Sequence, residues 1–416
     1  MKHFLEQLPF YNQAVLPYHW VQGLVASIKY HHPAKHLRVI GVTGTNGKTT
    51  TCFMIWHMLR QAGYKVGLMT TVAYGINQLK PELGHMTMVD ANTLNARIRA
   101  IADQGAEFLV LEVTSHGLAE YRTLGIPFEI AVFTNLTHDH LDYHKTLTNY
   151  RNAKGKLFQK AQFSILNADD AATKYYKTLA KDYITYGINH GENRAKSIKL
   201  HVNGVDYSCG DMNISTSIPG KFNVYNSLAA ALVGKKMGLT NQQIEDGIST
   251  LTSVEGRMNI IDAGQPFTVI VDYAHAPDAL EQVFESVKGH QGRIISVHGG
   301  AGRRDPSTRV IRGRILADHS DIVIITEDDS RDEDSALIAA EFIKGATEHG
   351  KVLGKDLFQE LDRRQAIKLA LSQARPGDLV LILGKGHEKS ILRADGPHAF
   401  NDADVAKSLL KKQKTK

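Results

Sequence analysis

The stretch GVTGTNGKTTT, which begins at residue 41, has the composition of a loop that binds phosphate. Glycines let backbone N–H groups approach an anion closely, and a helix that begins after the loop adds its positive end. Gly47, Lys48 and Thr49 match the end of the pattern G-x-x-x-x-G-K-[ST], although Val42 stands where its first glycine belongs. The lysine can reach terminal phosphates and the threonine hydroxyl can bind Mg²⁺. We therefore expect a nucleotide site here.

A second stretch, TNLTHDHLDYHKTLTNYRNAKGKLF at residues 134–158, contains three histidines and two aspartates. Histidines in a polar run occur both in solvated loops and at transition-metal sites. The apolar run IAVFTNL at 130–136 has the pattern of a buried strand, which would deliver Asp139, His140 and Asp142 to one edge of a sheet. We expect this histidine-rich loop to face the phosphates.

Glu112 ends another apolar run, FLVLE at residues 108–112. A carboxylate at the carboxyl edge of a parallel sheet lies in the crevice where such folds bind ligands. Carboxylate oxygens also suit Mg²⁺, which is a hard cation. Glu112 is thus a candidate ligand for a nucleotide-bound Mg²⁺.

Short β-branched apolar runs alternate with longer helical patterns from residue 37 onward, which predicts βαβ units around a parallel sheet. A helix is predicted to follow the phosphate loop and to stop at Gly63. Residues 190–220 instead have the pattern of short antiparallel strands. The predicted strands are LRVIGVTG (37), KVGLMTT (65), FLVLEVT (108), IAVFTNL (130) and FSILNAD (163), followed by a second series of FTVIVDYA (267), RIISVHGG (293), DIVIITED (321) and DLVLILGKG (378).

The second series of strands begins near residue 256, after the segment STLTSVEGRMNII. The predicted fold is therefore α/β, in three parts. An N-terminal extension covers residues 1–36, a larger nucleotide-binding domain covers 37–253, and a smaller Rossmann-like domain covers 254–416.

The composition is that of an ordinary globular chain, since 43% of the 416 residues are apolar and 22% are charged. The longest apolar runs are far shorter than the ~20 residues of a membrane span. The N-terminus mixes charges and prolines into its apolar residues, unlike a secretory signal. We expect a cytoplasmic protein without a membrane partner. Two cysteines, neither in a C-x-x-C pair, make a disulfide framework unexpected.

The net charge of +6 does not indicate nucleic-acid binding, because 49 Lys and Arg are spread among 43 Asp and Glu. Only the tail KKQKTK at residues 411–416 is a basic run, and a frayed, solvated chain end is expected there. No nucleic acid is therefore expected as a partner.

Eight motifs occur in the order expected of the Mur ligases, and over about residues 38–395 the chain resembles that family. The closest likeness is to the ligases that add diaminopimelate or lysine to a UDP-N-acetylmuramoyl-dipeptide. The resemblance implies a central P-loop Mur ligase domain with a parallel sheet and a smaller Rossmann-like C-terminal domain. The motifs are GTNGKTT, LEVTSHGL, TNLTHDHLDYH, AKGKLF, FNVYNSLAA, EGRMN, VDYAHAPDAL and LGKGHE.

The activity that this resemblance implies is ATP-dependent amide ligation in peptidoglycan synthesis. ATP phosphorylates the carboxylate of an acceptor to give an acyl phosphate, and the amine of an amino acid then attacks it. Activation is needed because a free carboxylate is a poor electrophile. Positioning and cationic neutralisation supply most of the help for phosphoryl transfer.

The resemblance also implies roles for individual residues, with ATP and Mg²⁺ as cofactors. Lys154 matches the lysine that the family carbamoylates, and a carbamate would be an anionic oxygen ligand where a bare ammonium would repel Mg²⁺. Zinc is then disfavoured, and solvated positions are expected for His138 and His144. The implied ATP contacts are Gly44, Thr45, Asn46, Gly47, Lys48, Thr49, Thr50, Asn223, Asn226, Arg257 and Asp272. The implied metal ligands are Thr49, Glu112, His140 and Lys154, and the implied catalytic residues are Lys48, Glu112, His140, Lys154 and Arg257.

On the amine side, the motif that selects the amino acid reads DDSR at residues 328–331, where the family pattern is Asp-Asn-Pro-Arg. The retained Arg331 favours an acidic or zwitterionic amino acid over lysine, because a guanidinium can grip a carboxylate with two hydrogen bonds. Arg303 replaces a usual aspartate nearby. The implied amino-acid contacts are Arg304, Asp328, Arg331, Gly384 and Glu388.

The acceptor side departs further from the family pattern. The family carries a whole UDP-binding domain before the phosphate loop, whereas 43 residues precede Gly44 here. The short extension or a partner protein would then have to hold that end of the acceptor. The usual Thr-Thr-Pro reads Thr-Met-Val at 87–89, and Glu120 stands in place of a glutamine. The implied acceptor contacts that remain are Thr87, Thr114 and Arg122.

Three functions agree with these observations. The first is the ligase that adds the third residue of the peptidoglycan stem peptide. The second is a related amide ligase on a carboxylate without UDP, such as a poly-amino-acid, a folate-like glutamate or a specialised metabolite. The third is an ATP-binding protein without turnover, against which the retained Lys48, Glu112, His140 and Lys154 argue.

Overall fold

The computed structural model describes residues 15–84, 87–201 and 203–414. Residues 1–14 of the predicted N-terminal extension lie outside this part. Contacts divide the chain into two compact units, which are considered separately below. The first unit holds the described residues as far as Leu251 and the second holds Thr252 onward, except that Leu200–Val205 and Ser217–Phe222 belong to the second. The two boundaries predicted from sequence between the three parts stay predictions.

The first unit is built on a nine-stranded sheet with the order β4-β3-β2-β5-β1-β6-β7-β8-β9. Strands β2, β5, β1, β6, β7, β8 and β9 are parallel to their neighbours, while β3 and β4 are added antiparallel. The strands are β1 (Arg38–Thr43), β2 (Val66–Met69), β3 (Ala73–Gly75), β4 (Lys80–Pro81), β5 (Phe108–Glu112), β6 (Phe128–Phe133), β7 (Phe163–Asn167), β8 (Tyr183–Gly187) and β9 (Asn193–Arg194).

Helices flank this sheet, and the first of them, in the predicted extension, packs against α3. The helix after the phosphate loop ends as predicted, with Gly63 in the left-handed region at φ 95°. The helices are α1 (Leu16–Lys29), α2 (Lys48–Gln61), α3 (Ala91–Asp103), α4 (Ser115–Ala119), α5 (Leu141–His144), α6 (Leu147–Lys160), α7 (Thr173–Lys177), α8 (Phe222–Lys236) and α9 (Asn241–Ser249). A separate three-stranded sheet consists of β10 (Lys196–His201), β11 (Gly204–Cys209) and β12 (Met212–Thr216).

The central strands β1, β5 and β6 are continuous apolar runs because helices cover both faces of the sheet. Val42 of β1 pairs with Glu112 at the end of β5 and with Val132 of β6. Three strands therefore end side by side, and the loops that follow them meet at one edge. This register places the phosphate loop, Glu112 and the histidine-rich loop together, as the sequence predicted.

The second unit contains a six-stranded sheet with the order β13-β14-β18-β15-β16-β17, in which only β13 is antiparallel to its neighbour. The strands are β13 (Asn259–Ile260), β14 (Thr268–Asp272), β15 (Ile294–Gly300), β16 (Ile322–Glu327), β17 (Leu357–Gln359) and β18 (Leu379–Leu383), with β19 (Ser390–Arg393) and β20 (Gly396–Ala399) forming a hairpin. The helices are α10 (Pro277–Ser286), α11 (Ser307–His319), α12 (Ser335–Glu348), α13 (Arg363–Gln373) and α14 (Asp402–Lys414).

Each of the nine predicted strands overlaps an observed strand, and both α/β series are confirmed. The basic tail is helical as far as Lys414, so the frayed end predicted there is wrong to that residue, whereas Lys411 and Lys412 are exposed as expected. In the part of the chain that the structure covers, no helix combines the length and apolar character needed to cross a bilayer.

A fully buried ion pair joins α13 to α14. Arg363 donates through Nε and Nη2 to the two carboxylate oxygens of Asp402 at 2.8 Å, and neither side chain is exposed. The guanidinium also donates to the carbonyls of Glu327 and Leu383, which end β16 and β18. The pair therefore ties two helices to the carboxyl edge of the sheet.

Asp402→Ala should lower the free energy of unfolding by about 3–5 kcal/mol, because it leaves the buried Arg363 charge without its partner. Denaturant unfolding followed by circular dichroism measures this. Asp332→Ala is the matched control, since it removes the partner of Arg303 from an ion pair whose side chains are 48% and 52% exposed. A loss below 1 kcal/mol for Asp402→Ala would contradict the expected role of the pair.

Candidate active site

The phosphate loop is held in place by the residues that follow β6. Thr45 N donates to Asn135 O at 2.8 Å, and Asn46 N donates to the Asn135 side-chain oxygen at 2.9 Å. Thr134 Oγ1 donates in turn to Asn46 O at 2.6 Å. Two neighbouring strand ends thus fix the shape of the loop before any ligand binds.

Gly47 occupies a left-handed backbone conformation, φ 81°, immediately before α2. A β-carbon there would lie 2.3 Å from Asn226 Oδ1. Asn226 accepts a hydrogen bond from Thr51 Oγ1 at 3.3 Å and donates to Asn223 Oδ1 at 2.8 Å. The two predicted nucleotide contacts of α8 are therefore buried against the loop and the first turn of α2.

Two lysine side chains converge on the carbonyl oxygen of Gly44. Lys48 Nζ donates to it at 3.1 Å and to Thr45 O at 2.7 Å, and Lys154 Nζ donates to it at 2.7 Å. Lys154, on α6, is 1% exposed. Burial and the neighbouring Lys48 charge hold the pKa of Lys154 well below its usual range. The surroundings of Lys154 therefore disfavour its charged form.

An oxygen-rich pair lies next to the two lysines. Thr49 Oγ1 donates to Glu112 Oε2 at 3.0 Å, and the same oxygen accepts from Thr71 N at 3.0 Å. A hydroxyl and a carboxylate are ligands of the kind that a hard divalent cation takes. The donor set therefore fits Mg²⁺.

The histidine-rich loop adds His140 at the same edge, in a left-handed conformation with φ 55°. Its Nε2 lies 3.5 Å from Asp139 Oδ2, and its ring packs edge-on against His116 at 4.9 Å. The imidazole is 34% exposed and so accessible to a ligand.

The solvated position expected for His144 is wrong, although His138 is exposed as expected. His144 is 6% exposed, and its Nε2 lies 2.9 Å from Ser115 Oγ. Its ring also packs against Tyr143 and Tyr150. The side chain therefore anchors the loop to α4.

No cluster of loop histidines fit for zinc is found within the described ranges. The one set of three close acidic, histidine or cysteine groups there is Asp328, Asp329 and Glu388 in the second unit. That trio surrounds Lys385, whose Nζ donates to Asp328 at 3.2 Å, Asp329 at 2.7 Å and Glu388 at 2.6 Å. A lysine ammonium thus fills the centre of the acidic set.

The predicted acceptor residues lie in the first unit. Thr87 lines a small pocket that is also lined by Met88, Arg97 and Glu112. Thr114 caps α4 by accepting from Gly117 N at 3.0 Å. Thr87 and the buried Glu112 therefore line the same pocket.

The guanidinium of Arg122, the third predicted acceptor contact, is engaged within the chain. Its Nε and Nη2 donate to Glu120 Oε2 at 2.9 and 2.5 Å, and its Nη1 donates to Met88 O.

In the second unit, Asp272 ends β14 and is buried. It accepts from Met258 N at 2.7 Å and from Ala274 N at 2.8 Å. Burial raises the pKa of its carboxyl, against the effect of nearby Arg257. Arg257 lies over the Tyr273 ring at 4.6 Å. The two predicted nucleotide contacts of this unit are therefore neighbours.

The predicted amino-acid residues gather at the carboxyl edge of β15, β16 and β18. Arg331 Nη1 donates to Gly302 O at 3.0 Å, and Arg304 is exposed. Gly384, at φ 111°, is so close to Asp328 that a β-carbon would lie 3.1 Å from Asp328 Oδ2. Although burial opposes its charge, Lys385 and Arg363 hold the pKa of Asp328 well below its usual range.

Three residues at this edge were missed from the sequence. Lys385 is buried at the centre of the acidic trio, Asp329 accepts from both Lys385 and Leu392 N, and His298 is buried next to Gly384. A lysine between two glycines directly after a strand, as in LGKGHE, was the available signal for Lys385. Asp329 had been noted only as a departure from the family pattern.

Two family models match the chain in succession. The Mur ligase middle domain matches residues 42–234, and the Mur ligase glutamate ligase domain matches residues 256–386. The chain belongs to the Mur ligase family. The first range contains Lys48 and Lys154 of the phosphate site. The second range contains Asp328 and Asp329 of the acidic trio, and Glu388 lies just beyond it.

Similar curated proteins are named for one of the reactions that the family carries out. The UDP-N-acetylmuramoyl-L-alanyl-D-glutamate--2,6-diaminopimelate ligase of Clostridium botulinum is 37% identical, covering 94% of this chain and 81% of the relative. The UDP-N-acetylmuramyl-tripeptide synthetase of a Roseiflexus species is also 37% identical, covering 93% of this chain and 81% of the relative.

Solved structures agree with the fold. A UDP-N-acetylmuramoyl-L-alanyl-D-glutamate--2,6-diaminopimelate ligase matches with 32% identity and a TM-score of 0.66, covering 95% of this chain and 82% of the other. The folylpolyglutamate synthase of Mycobacterium tuberculosis reaches a TM-score of 0.73 over 98% of this chain and 97% of the other, at 17% identity. The latter likeness extends to the fold alone.

Gly47→Ala should weaken ATP binding by at least about tenfold, because the new methyl group meets Asn226 and the residue stays left-handed. Titration with a fluorescent ATP analogue measures the Kd. Gly63→Ala is the matched control, since it is also left-handed at φ 95° but has open space around its β-carbon. Equal Kd values for Gly47→Ala and the unaltered protein would show that the close approach to Asn226 is unimportant.

Proposed function

We propose that this protein is the ATP-dependent ligase that joins the amine of a diaminopimelate-like amino acid to the carboxyl of UDP-N-acetylmuramoyl-L-alanyl-D-glutamate. The observation that carries the proposal is the meeting of Lys48, Lys154 and the Thr49–Glu112 pair around the phosphate loop. The relatives named above, at 37% identity over most of both chains, support the same reaction. Its use of ATP favours a cytoplasmic location.

In this proposal the phosphate loop and Lys48 hold the phosphates of ATP. The loop residues Gly44–Thr50 offer backbone N–H groups, and Lys48 offers a charge that neutralises the transferring phosphoryl group. Its present hydrogen bonds to Gly44 O and Thr45 O keep it within reach of the bound nucleotide. Asn223 and Asn226 are proposed to contact the adenine, Asp272 the ribose and Arg257 the γ-phosphate.

Thr49, Glu112 and His140 are the proposed ligands of Mg²⁺. The metal would neutralise phosphate charge as the acyl phosphate forms. Lys154 is proposed to join them after its neutral amine combines with CO₂. The nitrogen lone pair attacks carbon, one proton leaves, and the product is an anionic carbamate. Such an oxygen ligand suits Mg²⁺, whereas an ammonium would repel it.

The amine substrate is proposed to bind at the carboxyl edge of the second unit's sheet. Asp328 and Glu388 offer carboxylates for its ammonium groups. Arg331 and Arg304 offer guanidinium groups for its distal carboxylate, and Gly384 leaves room beside them.

The acceptor is proposed to run along the pocket from Glu112 to Thr87, near Thr114 and Arg122. An acceptor without UDP is not favoured, because its only support is the likeness in fold to folylpolyglutamate synthase.

The test is ADP release by the purified protein with Mg²⁺ and ATP. UDP-N-acetylmuramoyl-L-alanyl-D-glutamate is offered together with diaminopimelate, lysine or other amines. Turnover that requires both this acceptor and diaminopimelate supports the proposal. Turnover with an acceptor that lacks UDP, and none with this one, would sink it.

Lys154→Ala should lower ADP release by about a hundredfold or more, since an oxygen ligand of the metal is lost. Added formate or acetate should restore part of the activity, because a free carboxylate can occupy the place of the carbamate. Lys160→Ala, on the exposed end of the same helix, is the control and should keep full activity. Undiminished turnover by Lys154→Ala would rule out the carbamate assignment.

Arg331→Ala should raise the KM for diaminopimelate by about tenfold or more and leave the KM for ATP nearly unchanged, because a charge-assisted contact to one substrate is lost. Steady-state kinetics with each substrate varied in turn measure the two constants. Arg364→Ala, an exposed arginine on α13, is the control. Equal effects on both constants would mean that Arg331 does not select the amine.

A further inference from the structure

The acceptor side of the first unit contains two arginines, and each is neutralised by a carboxylate of the chain. Arg122 pairs with Glu120 through Nε and Nη2, and Arg97 pairs with Glu82. The side chains of Arg122 and Glu120 are only 17% and 14% exposed. Water therefore screens this pair less than an ordinary surface pair.

Other contacts hold the Glu120–Arg122 pair in place. Arg122 Nη1 donates to Met88 O, so three of its five N–H groups are bonded within the chain. The Tyr143 hydroxyl also donates a hydrogen bond to Glu120. Met88 is itself fixed, because its sulfur packs so closely over Gly117 that a β-carbon there would lie 2.1 Å away.

The second pair lines the pocket that leads to Glu112. Arg97 lies over the Tyr74 ring at 3.8 Å and donates to Glu82, whose side chain is 7% exposed. A nearby lysine, Lys156, donates to Leu118 O at 3.4 Å and lies over the Tyr121 ring at 4.7 Å. The arginines thus offer the acceptor hydrogen bonds but little net positive charge.

The glutamate end of the proposed acceptor carries two carboxyl groups, of which one reacts and the other remains. A charged carboxylate beside Arg122 would meet Glu120 as a like charge. A carboxamide would instead accept from a remaining N–H of Arg122 and donate to Glu120. The Glu120–Arg122 pair is therefore chemically complementary to an amide.

We propose that Glu120 makes this enzyme select an acceptor whose non-reacting carboxyl is uncharged, as in a carboxamide. This inference rests on the proposed function and defines its substrate more narrowly. Glu120 acts through Arg122 and through direct contact with the amide, so its removal should change which acceptor binds best.

The test compares Kd values, measured by calorimetry, for two acceptors on the full-length protein. One is UDP-N-acetylmuramoyl-L-alanyl-D-glutamate, and the other is its mono-amide that keeps the reacting carboxyl free. The unaltered protein should bind the mono-amide about tenfold more tightly. Glu120→Gln should bind the dicarboxylate about tenfold more tightly than the unaltered protein does, because Arg122 is no longer neutralised.

Glu129→Gln is the matched control, since it removes the partner of Arg38 at the far end of β1 and β6. It should leave both Kd values unchanged, and thermal unfolding checks that each variant folds. If the Glu120 carboxylate only orients Arg122, the Glu120→Gln variant should bind both acceptors more weakly than the unaltered protein. Weaker binding of both acceptors by that variant would overturn the inference. Equal binding of both acceptors by the unaltered protein, or no binding of either acceptor by any variant, would also overturn it.

The two proposals can fail separately. Tight binding of the mono-amide without ADP release, whichever amine is added, would count against the proposed function and leave the acceptor preference standing. Efficient ligation of the dicarboxylate by a protein that binds both acceptors equally would overturn the preference alone.

Discussion

Two lysine side chains donate to one carbonyl oxygen, that of Gly44, and the chemistry proposed for the first unit depends on how repulsion between two charges there is avoided. Lys48 is the proposed phosphate ligand and needs its charge. Lys154 is buried on the adjacent helix, where a second charge would be costly. Loss of a proton from Lys154 relieves both the repulsion and the burial cost. The same loss creates the neutral amine that can take up CO₂, so the packing that lowers its pKa also prepares the proposed metal ligand.

The parallel sheet made much of this arrangement predictable from sequence. Nine apolar runs identified nine strands, because a strand that is buried on both faces forms a nearly continuous apolar run in the sequence. Parallel strands also place their carboxyl ends at one edge, so Glu112 and the phosphate loop could be brought together without coordinates. The short strands β3, β4 and β17 were not predicted, since two or three residues carry too little pattern.

Side-chain partners were harder to predict than positions. His144 lies in a polar run, yet its side chain is buried and lies within hydrogen-bond distance of Ser115, which belongs to a distant segment. Lys385 was passed over because a lysine is usually exposed, and only the fold shows that three carboxylates surround it. The pairing of Glu120 with Arg122 illustrates the same limit. In the sequence, Glu120 was noted as a departure from the family pattern and Arg122 as a retained acceptor contact. That the two side chains pair with each other depends on side-chain geometry.

The environment of Lys385 has a consequence for how the amine pocket can change during evolution. Asp329 differs from the asparagine of the family pattern, and its carboxylate serves both the buried lysine and the Leu392 N–H. Asparagine at this position could still accept both hydrogen bonds through Oδ1, but it would remove one negative charge beside Lys385. The family pattern combines asparagine at this position with the same LGKGHE lysine, so Asp329 adds a third carboxylate to a set in which Asp328 and Glu388 already pair with Lys385. A single substitution at residue 329 can therefore change the charge of the proposed amine pocket without removing the hydrogen bond that the buried lysine makes there.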